Sequence, residues 1–195
     1  MGNIYCIIGK SGTGKDTVLE EILKNQVVKI NKLVPYTTRP MREGEINGKN
    51  YYFVSKETFI EMDKNGQVIE KRSYDTVHGE WIYFTAVTNR NDSEDYIIIT
   101  TQEAIPAFFK AFGEDRIHVI YLRIDDKLRL ERCINRESLE ETPNYMEVCR
   151  RFIADEGDFD EDKINQYKNK LIIDTAENLS DYTRTIVDHI LTERQ

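Results

Sequence analysis

Short apolar runs alternate with amphipathic stretches along most of this 195-residue chain. Asn3 to Ile8 is a nearly continuous apolar run with the length of a strand buried on both faces. Lys15 to Lys24 follows it as a helix, with Val18, Leu19, Ile22 and Leu23 on one side. Tyr96 to Thr100 and Ile117 to Leu122 repeat the strand signature, each ahead of a helical pattern, and Thr101 is placed to cap the first of those helices. Leu171 to Ile173 gives a last strand, and Leu179, Tyr182, Ile186 and Ile190 form the stripe of a last helix. Such alternation predicts an α/β fold, a parallel sheet with helices on both faces.

Two stretches break the rhythm. Residues 32–87 carry the turn signals Asn47-Gly48 and Asn65-Gly66 beside the aromatic run Tyr51 to Val54, which predicts an inserted subdomain of small antiparallel strands around one helix. Residues 126–158 read as two charged helices, near 126–137 and 143–156. In the second, Tyr145, Val148, Cys149, Phe152 and Ile153 make an amphipathic stripe. The six acids between Asp155 and Asp162 lack the glycine and terminal glutamate of an EF-hand loop and read as a solvated face.

The 35 acidic residues outnumber the 27 basic ones, and the net charge of -8 argues against a general binder of nucleic acid or of membrane surfaces. Cys6, Cys133 and Cys149 fit neither a disulfide framework nor a metal knuckle. The apolar run Ile4 to Ile8 is far short of the roughly 20 residues that span a bilayer, so a cytoplasmic protein is expected. His78, His118 and His189 lie too far apart in sequence to read as a metal cluster, and each reads as structural.

The strongest chemical signal is Gly9-Lys10-Ser11-Gly12-Thr13-Gly14-Lys15-Asp16-Thr17, between the first strand and the first helix. Glycines let successive N–H groups turn inward while the helix N-terminus adds partial positive charge, which together make a phosphate cradle. Lys15 then reaches the outer phosphates of a nucleoside triphosphate. The slot that usually holds a Mg²⁺-binding hydroxyl is Asp16. It reads either as a helix N-terminal acid or as a hard oxygen ligand for Mg²⁺. Gly12 and Gly14 lack the third glycine of a dinucleotide fingerprint.

In the segment from Thr37 to Val54, Arg39 and Arg42 precede Glu45, a glycine turn and Tyr51, a set able to grip one phosphate bidentately. Arg129, Arg132 and Arg136 recur at helical spacing, where spacing alone leaves phosphate binding and a solvated charged face equally open.

With the phosphate loop, the Thr37 to Phe53 segment, Glu70 and the Arg132/Arg136 pair in place, the chain resembles the guanylate kinase family over nearly its whole length, most strongly in residues 1–70. The resemblance implies a P-loop NTPase-type core of residues 1–31, 88–125 and 159–195, a nucleoside-monophosphate-binding insertion of residues 32–87, and a helical lid of residues 126–158. Gly9, Ser11, Gly12, Thr13, Gly14, Lys15, Asp16 and Thr17 then hold the phosphates of ATP, with Mg²⁺ as cofactor. Arg39, Arg42, Tyr51 and Tyr83 hold the GMP phosphate, Glu45 positions the arginines, Thr85 joins the acceptor site, and Glu70 accepts from guanine N1–H and the 2-amino group. Lys15, Arg39, Arg132, Arg136 and Arg151 carry catalysis. Pro35 stands where the family usually has a base-touching serine, and Ile99 and Thr101 stand for its strand-end aspartates. The resemblance also admits a same-fold kinase for another phosphorylated acceptor, or a non-catalytic protein-binding module.

Overall fold

The computed structural model describes residues 1–76, 79–88, 90–176 and 178–194; His78, named above, lies outside the described residues. The first half runs β1 (Ile4–Ile8), α1 (Lys15–Lys24), β2 (Asn31–Lys32), β3 (Tyr36–Thr37), β4 (Tyr52–Phe53), α2 (Lys56–Lys64), β5 (Val68–Thr76) and β6 (Gly79–Ala86). The second runs β7 (Tyr96–Ile99), α3 (Ile105–Phe112), β8 (Ile117–Arg123), α4 (Asp126–Glu137), α5 (Tyr145–Asp158), α6 (Glu161–Gln166), β9 (Lys170–Asp174) and α7 (Leu179–Thr192).

Five strands pair in the order β2-β7-β1-β8-β9, every ladder parallel. All of β1 is buried, because helices cover both faces of the sheet and leave no position for a polar side chain. On one face Tyr5 and Ile7 pack with Val18 and Ile22 of α1 and Ile186 and Ile190 of α7. On the other, Ile4, Cys6 and Ile8 meet Ile105 and Phe108 of α3 and Ile164 of α6. Leu23, expected on the buried stripe of α1, is exposed: it lies about 100° around the helix from Ile22, past the edge of the covered face. With β7 and β8 on either side of β1, the crevice beyond their carboxyl ends is where an open parallel sheet binds ligands.

A second sheet, in the order β4-β3-β6-β5, has its own small core of Tyr36, Phe59, Ile82, Phe84 and Ala86. Its β3–β6 and β5–β6 ladders are antiparallel as expected, but β3 and β4 pair in parallel. The chain between them, residues 38–51, is long enough to travel back and enter in the same direction. Asn65-Gly66, expected as a hairpin turn, instead ends α2: Gly66 adopts φ 67° while its N–H bonds Asp63 O and the Gln67 N–H bonds Met62 O. That is the hydrogen-bond pattern of a glycine-terminated helix. Thr101 precedes a 3₁₀ turn (Gln102–Ala104) rather than opening α3 directly, and its hydroxyl makes no capping bond.

The expected stripe on α5 is only partly covered. Val148 is buried, while Tyr145, Cys149 and Ile153 are exposed, because α5 packs along one narrow seam against α4. No helix among the described residues is long and apolar enough to cross a membrane.

Candidate active site

A cleft of about 910 Å³ opens at the carboxyl ends of β1 and β7. Gly9, Ser11 and Lys15 line one side; Tyr51, Arg72, Tyr83 and Thr85 of the second sheet line the other; Arg150 and Arg151 of α5 border it.

The glycine loop takes its shape from its own backbone. Gly12 and Gly14 have φ 84° and 88°, a region open to glycine and costly for other residues. Gly12 also packs so tightly that an added Cβ would lie 2.8 Å from both Arg129 O and Cys133 Sγ, so the loop rests directly on α4. Thr13 is buried, and its hydroxyl donates to Lys10 O at 2.9 Å. The Lys15 ammonium donates to Gly9 O at 2.6 Å and Lys10 O at 2.9 Å, leaving one of its three N–H bonds for the cleft. Burial pushes its pKa down, while Asp155 and Asp16 act to raise it and Arg136 to lower it. Asp16 and Thr17 are exposed in the first turn of α1.

Across the cleft the site is built in two layers. Tyr83 and Thr85 form the wall, and each is held from behind. Arg39, only 4 % exposed, donates from Nε to the Tyr83 hydroxyl at 3.1 Å. Its Nη1 donates to Pro40 O and Glu45 Oε2, and its Nη2 to Glu45 Oε1 at 2.7 Å. Four of its five N–H donors are therefore spent. This corrects the expectation that Arg39 grips a phosphate bidentately: Glu45 holds that geometry, and Arg39 offers one N–H and its charge. The Arg42 side chain is exposed, and its backbone N–H donates to Glu45 Oε2 at 2.7 Å.

Glu70 lies behind Thr85. A bulge between Val68 and Glu70 shifts the β5–β6 register, so Val68 packs in the small core, Ile69 reaches the main core and Glu70 faces Thr85. The Thr85 hydroxyl donates to Glu70 Oε1 at 2.8 Å. Arg72 Nε is 3.3 Å from Glu70 Oε2, an ion pair that is off line for a hydrogen bond. The buried Oε2 thus lacks a hydrogen-bond donor among the described residues. Nearby, the hydroxyls of Thr100 and Thr101, just past the end of β7, are also buried without a partner among the described residues.

The helices α4 and α5 sort the arginines. Arg129, expected on one stripe with Arg132 and Arg136, turns inward and is fully buried. It pairs with Asp126, Asp155 and Glu156 and lies over the Phe152 ring at 3.8 Å. Its buried charge requires these acids, so Asp155 turns inward, while Glu156, Asp158, Asp160, Glu161 and Asp162 stay on the expected solvated face. Asp155 Oδ2 also accepts from Ser11 N–H at 2.8 Å, and Glu156 from Lys10 Nζ at 2.7 Å. A carboxylate therefore holds an anion position of the phosphate loop. Arg132 donates to Thr175 O at 2.9 Å, Arg136 is exposed, and Arg151 donates to Glu147 Oε1 at 2.8 Å. Replacing Arg129 by Met is expected to strand the Asp155 charge and to cost about 3 kcal/mol, read as a lowered midpoint in thermal denaturation.

Glu45 sets an acid limit on the site. The Arg39 hydrogen bonds hold its pKa at about 2, against an ordinary 4.5. A lowered carboxylate pKa stabilises the fold above the unfolded value and is lost as pH falls through the folded one. Stability from this pair is expected to drain between pH 4.5 and about 2, and Glu45→Gln to flatten that part of an acid-unfolding curve.

Sequence reasoning missed four residues: Arg72, Thr100, Asp155 and Glu147. Arg72 was readable as the i+2 neighbour of Glu70 on the same strand face. Glu147 was readable as the i, i+3 and i, i+4 partner of Arg150 and Arg151 on α5, whereas Thr100 and Asp155 depend on packing between distant segments and leave no local pattern.

A glycine loop with its lysine and a wall of Tyr51, Arg72, Tyr83 and Thr85 face one another across one cleft at the head of a parallel sheet; the architecture is that of the P-loop nucleoside monophosphate kinases. The guanylate kinase family model matches residues 1–171. The guanylate kinase of Lactobacillus acidophilus is 27 % identical over 203 positions, covering 99 % of this chain and 92 % of that protein. The guanylate kinase of Mesoplasma florum is 45 % identical over 73 residues, 37 % of this chain and 25 % of that protein, so there the match spans a quarter of the relative's length. The crystal structure of guanylate kinase from Anaplasma phagocytophilum shares the fold, with a TM-score of 0.61 over 98 % of this chain and 86 % of that one at 22 % identity. The chain belongs to the guanylate kinase family, whose reaction is the ATP-dependent phosphorylation of GMP to GDP.

Proposed function

We infer that this protein moves the γ-phosphoryl group of ATP to the phosphate of GMP, releasing ADP and GDP, with the residues of the described cleft in the following roles. An oxygen of the GMP phosphate attacks the γ-phosphorus in line as the bond to the β-phosphate oxygen breaks. The observation that carries this reading is the common cleft: Lys15 borders it on the donor side, Tyr83 and Thr85 on the other, each backed by a buried charge.

On the donor side, loop N–H groups and Lys15 hold the ATP phosphates. The Ser11 N–H exchanges its bond to Asp155 for one to a phosphate oxygen, which couples ATP binding to movement of α5. Asp16 is an exposed acid in the first turn of α1, so its oxygens suit a hard cation. Asp16 would hold Mg²⁺, which when bound offsets charge on the phosphates. On the acceptor side Arg39, Arg42, Tyr51 and Tyr83 hold the GMP phosphate. Glu70 Oε2 accepts from the guanine edge, where adenine presents no matching donors. Arg132, Arg136 and Arg151 approach the transferring group as residues 126–158 close over residues 32–87 and the core, excluding water.

An ADP-release assay across GMP, dGMP, AMP, CMP and UMP, with and without Mg²⁺, tests this. Turnover with the two guanine nucleotides and only with Mg²⁺ is expected; preference for another base would overturn the substrate assignment.

A further inference from the structure

The end of the sheet opposite the cleft holds a cluster that phosphoryl transfer does not use. His118 is the second residue of β8, and His189 and Glu193 occupy one face at the carboxyl end of α7, four residues apart. Along the chain these residues suggest no metal cluster; packing α7 against the sheet closes the gap between 118 and 189. One donor atom from each of the three lies within 4.8 Å of the others. His118 Nδ1 is 3.7 Å and His189 Nδ1 3.9 Å from the carboxylate oxygens of Glu193, too far for hydrogen bonds.

The setting is built rather than accidental. His118 is only 2 % exposed, and its ring stacks on Tyr5 with centroids 4.9 Å apart. The Tyr5 hydroxyl in turn donates to Ile190 O at 3.3 Å, fixing α7 to the same spot. His118 Nδ1 is buried without a hydrogen-bond partner among the described residues, as is His189 Nε2. Orphaned polar atoms of this kind normally find a partner. Burial, acting against the Glu193 charge, pushes both imidazole pKa values down and favours the neutral rings.

We propose that His118, His189 and Glu193 form a binding site for a zinc-class divalent transition metal, clipping the end of α7 to the amino end of β8. Two imidazole nitrogens and one carboxylate oxygen suit zinc, cobalt or nickel and disfavour Mg²⁺ and Ca²⁺, which take oxygen ligands. Tetrahedral zinc with bonds of about 2.05 Å spaces its ligand atoms about 3.3 Å apart. The widest-spaced donors therefore close by up to about 1.5 Å on binding. Glu193 is 37 % exposed, so water can complete the fourth position.

The test uses the full chain stripped of metal by chelation. Titration with Co²⁺ is expected to give the ligand-field absorption of a tetrahedral ion, saturating at one equivalent. Zn²⁺ at about 100 times its Kd is expected to raise the unfolding midpoint by about 5–10 °C, and Mg²⁺ to leave it unchanged. His189→Ala and Glu193→Gln, chosen because neither removes the stacked His118, should keep the chelated parent's midpoint. Each should weaken metal binding beyond the roughly 10–100-fold cost of losing an outer-shell partner. Absence of the Co²⁺ spectrum would overturn the proposal. So would a Zn²⁺ effect that persists in both variants, which would place the ion elsewhere, for instance on the exposed Cys149.

Discussion

Lys15→Ala is expected to lower kcat for ADP formation about 1000-fold while changing the KM for GMP little. The ammonium sits in the loop with two donors fixed on Gly9 O and Lys10 O, aiming the remaining N–H and the charge at the cleft. Charge on the transferring phosphoryl group grows toward the transition state, and a preoriented cation in a poorly solvated site is worth several kcal/mol there. Removing one such group from other enzymes costs about 100- to 1000-fold in kcat, and this lysine contributes both a hydrogen bond and a full charge. Steady-state kinetics varying GMP at saturating Mg·ATP separates the two constants. A loss confined to KM for GMP would move Lys15 to the acceptor side and contradict its place among the groups that hold ATP.

The second large effect is on selectivity. Glu70→Gln preserves shape and the acceptor for the Thr85 hydroxyl, but turns the buried Oε2 position into an amide or a rotamer-dependent mixture. Guanine presents two donors on the edge that Glu70 is placed to meet, and a donor facing a donor in a buried site is penalised in full. Sites that read polar groups this way discriminate by up to about 10⁴-fold. A fall of about 100- to 10,000-fold in kcat/KM for GMP is therefore expected, with the ratio of GMP to AMP turnover falling alongside it. An unchanged ratio, measured over the same panel of acceptors, would remove Glu70 from base recognition.

Much of the layout was legible because each signal was local. The apolar run Ile4–Ile8 is buried throughout, and the glycine spacing of residues 9–14 maps directly onto a loop whose three glycines all have positive φ. The pairing of Arg39 with Glu45, six residues apart, was what the family resemblance implied. What stayed hidden depends on segments that meet only after folding. Arg129 carries the same helical spacing as Arg132 and Arg136, yet the acids of α5 and the Phe152 ring draw it inward. Asp155 reads as one acid in a charged run until α5 is laid on the glycine loop, where it becomes the partner of Ser11 N–H. The one-residue bulge that aims Glu70 at Thr85 has no signature in β5 alone, since Val68 and Ile69 both look like core residues. The histidines at 118 and 189 are joined by packing across an interval that no motif spans.

The central claim is that the donor loop and the acceptor pocket address the two ends of one phosphate chain. Calorimetric titration with a single ligand joining adenosine and guanosine through a polyphosphate bridge tests it most directly. One equivalent is expected to bind more tightly than ATP or GMP alone, to exclude both, and to lose affinity on either Lys15→Ala or Glu70→Gln. Binding of a free GMP beside the bridged ligand, or indifference to one of the two substitutions, would show that the sites do not share a substrate path.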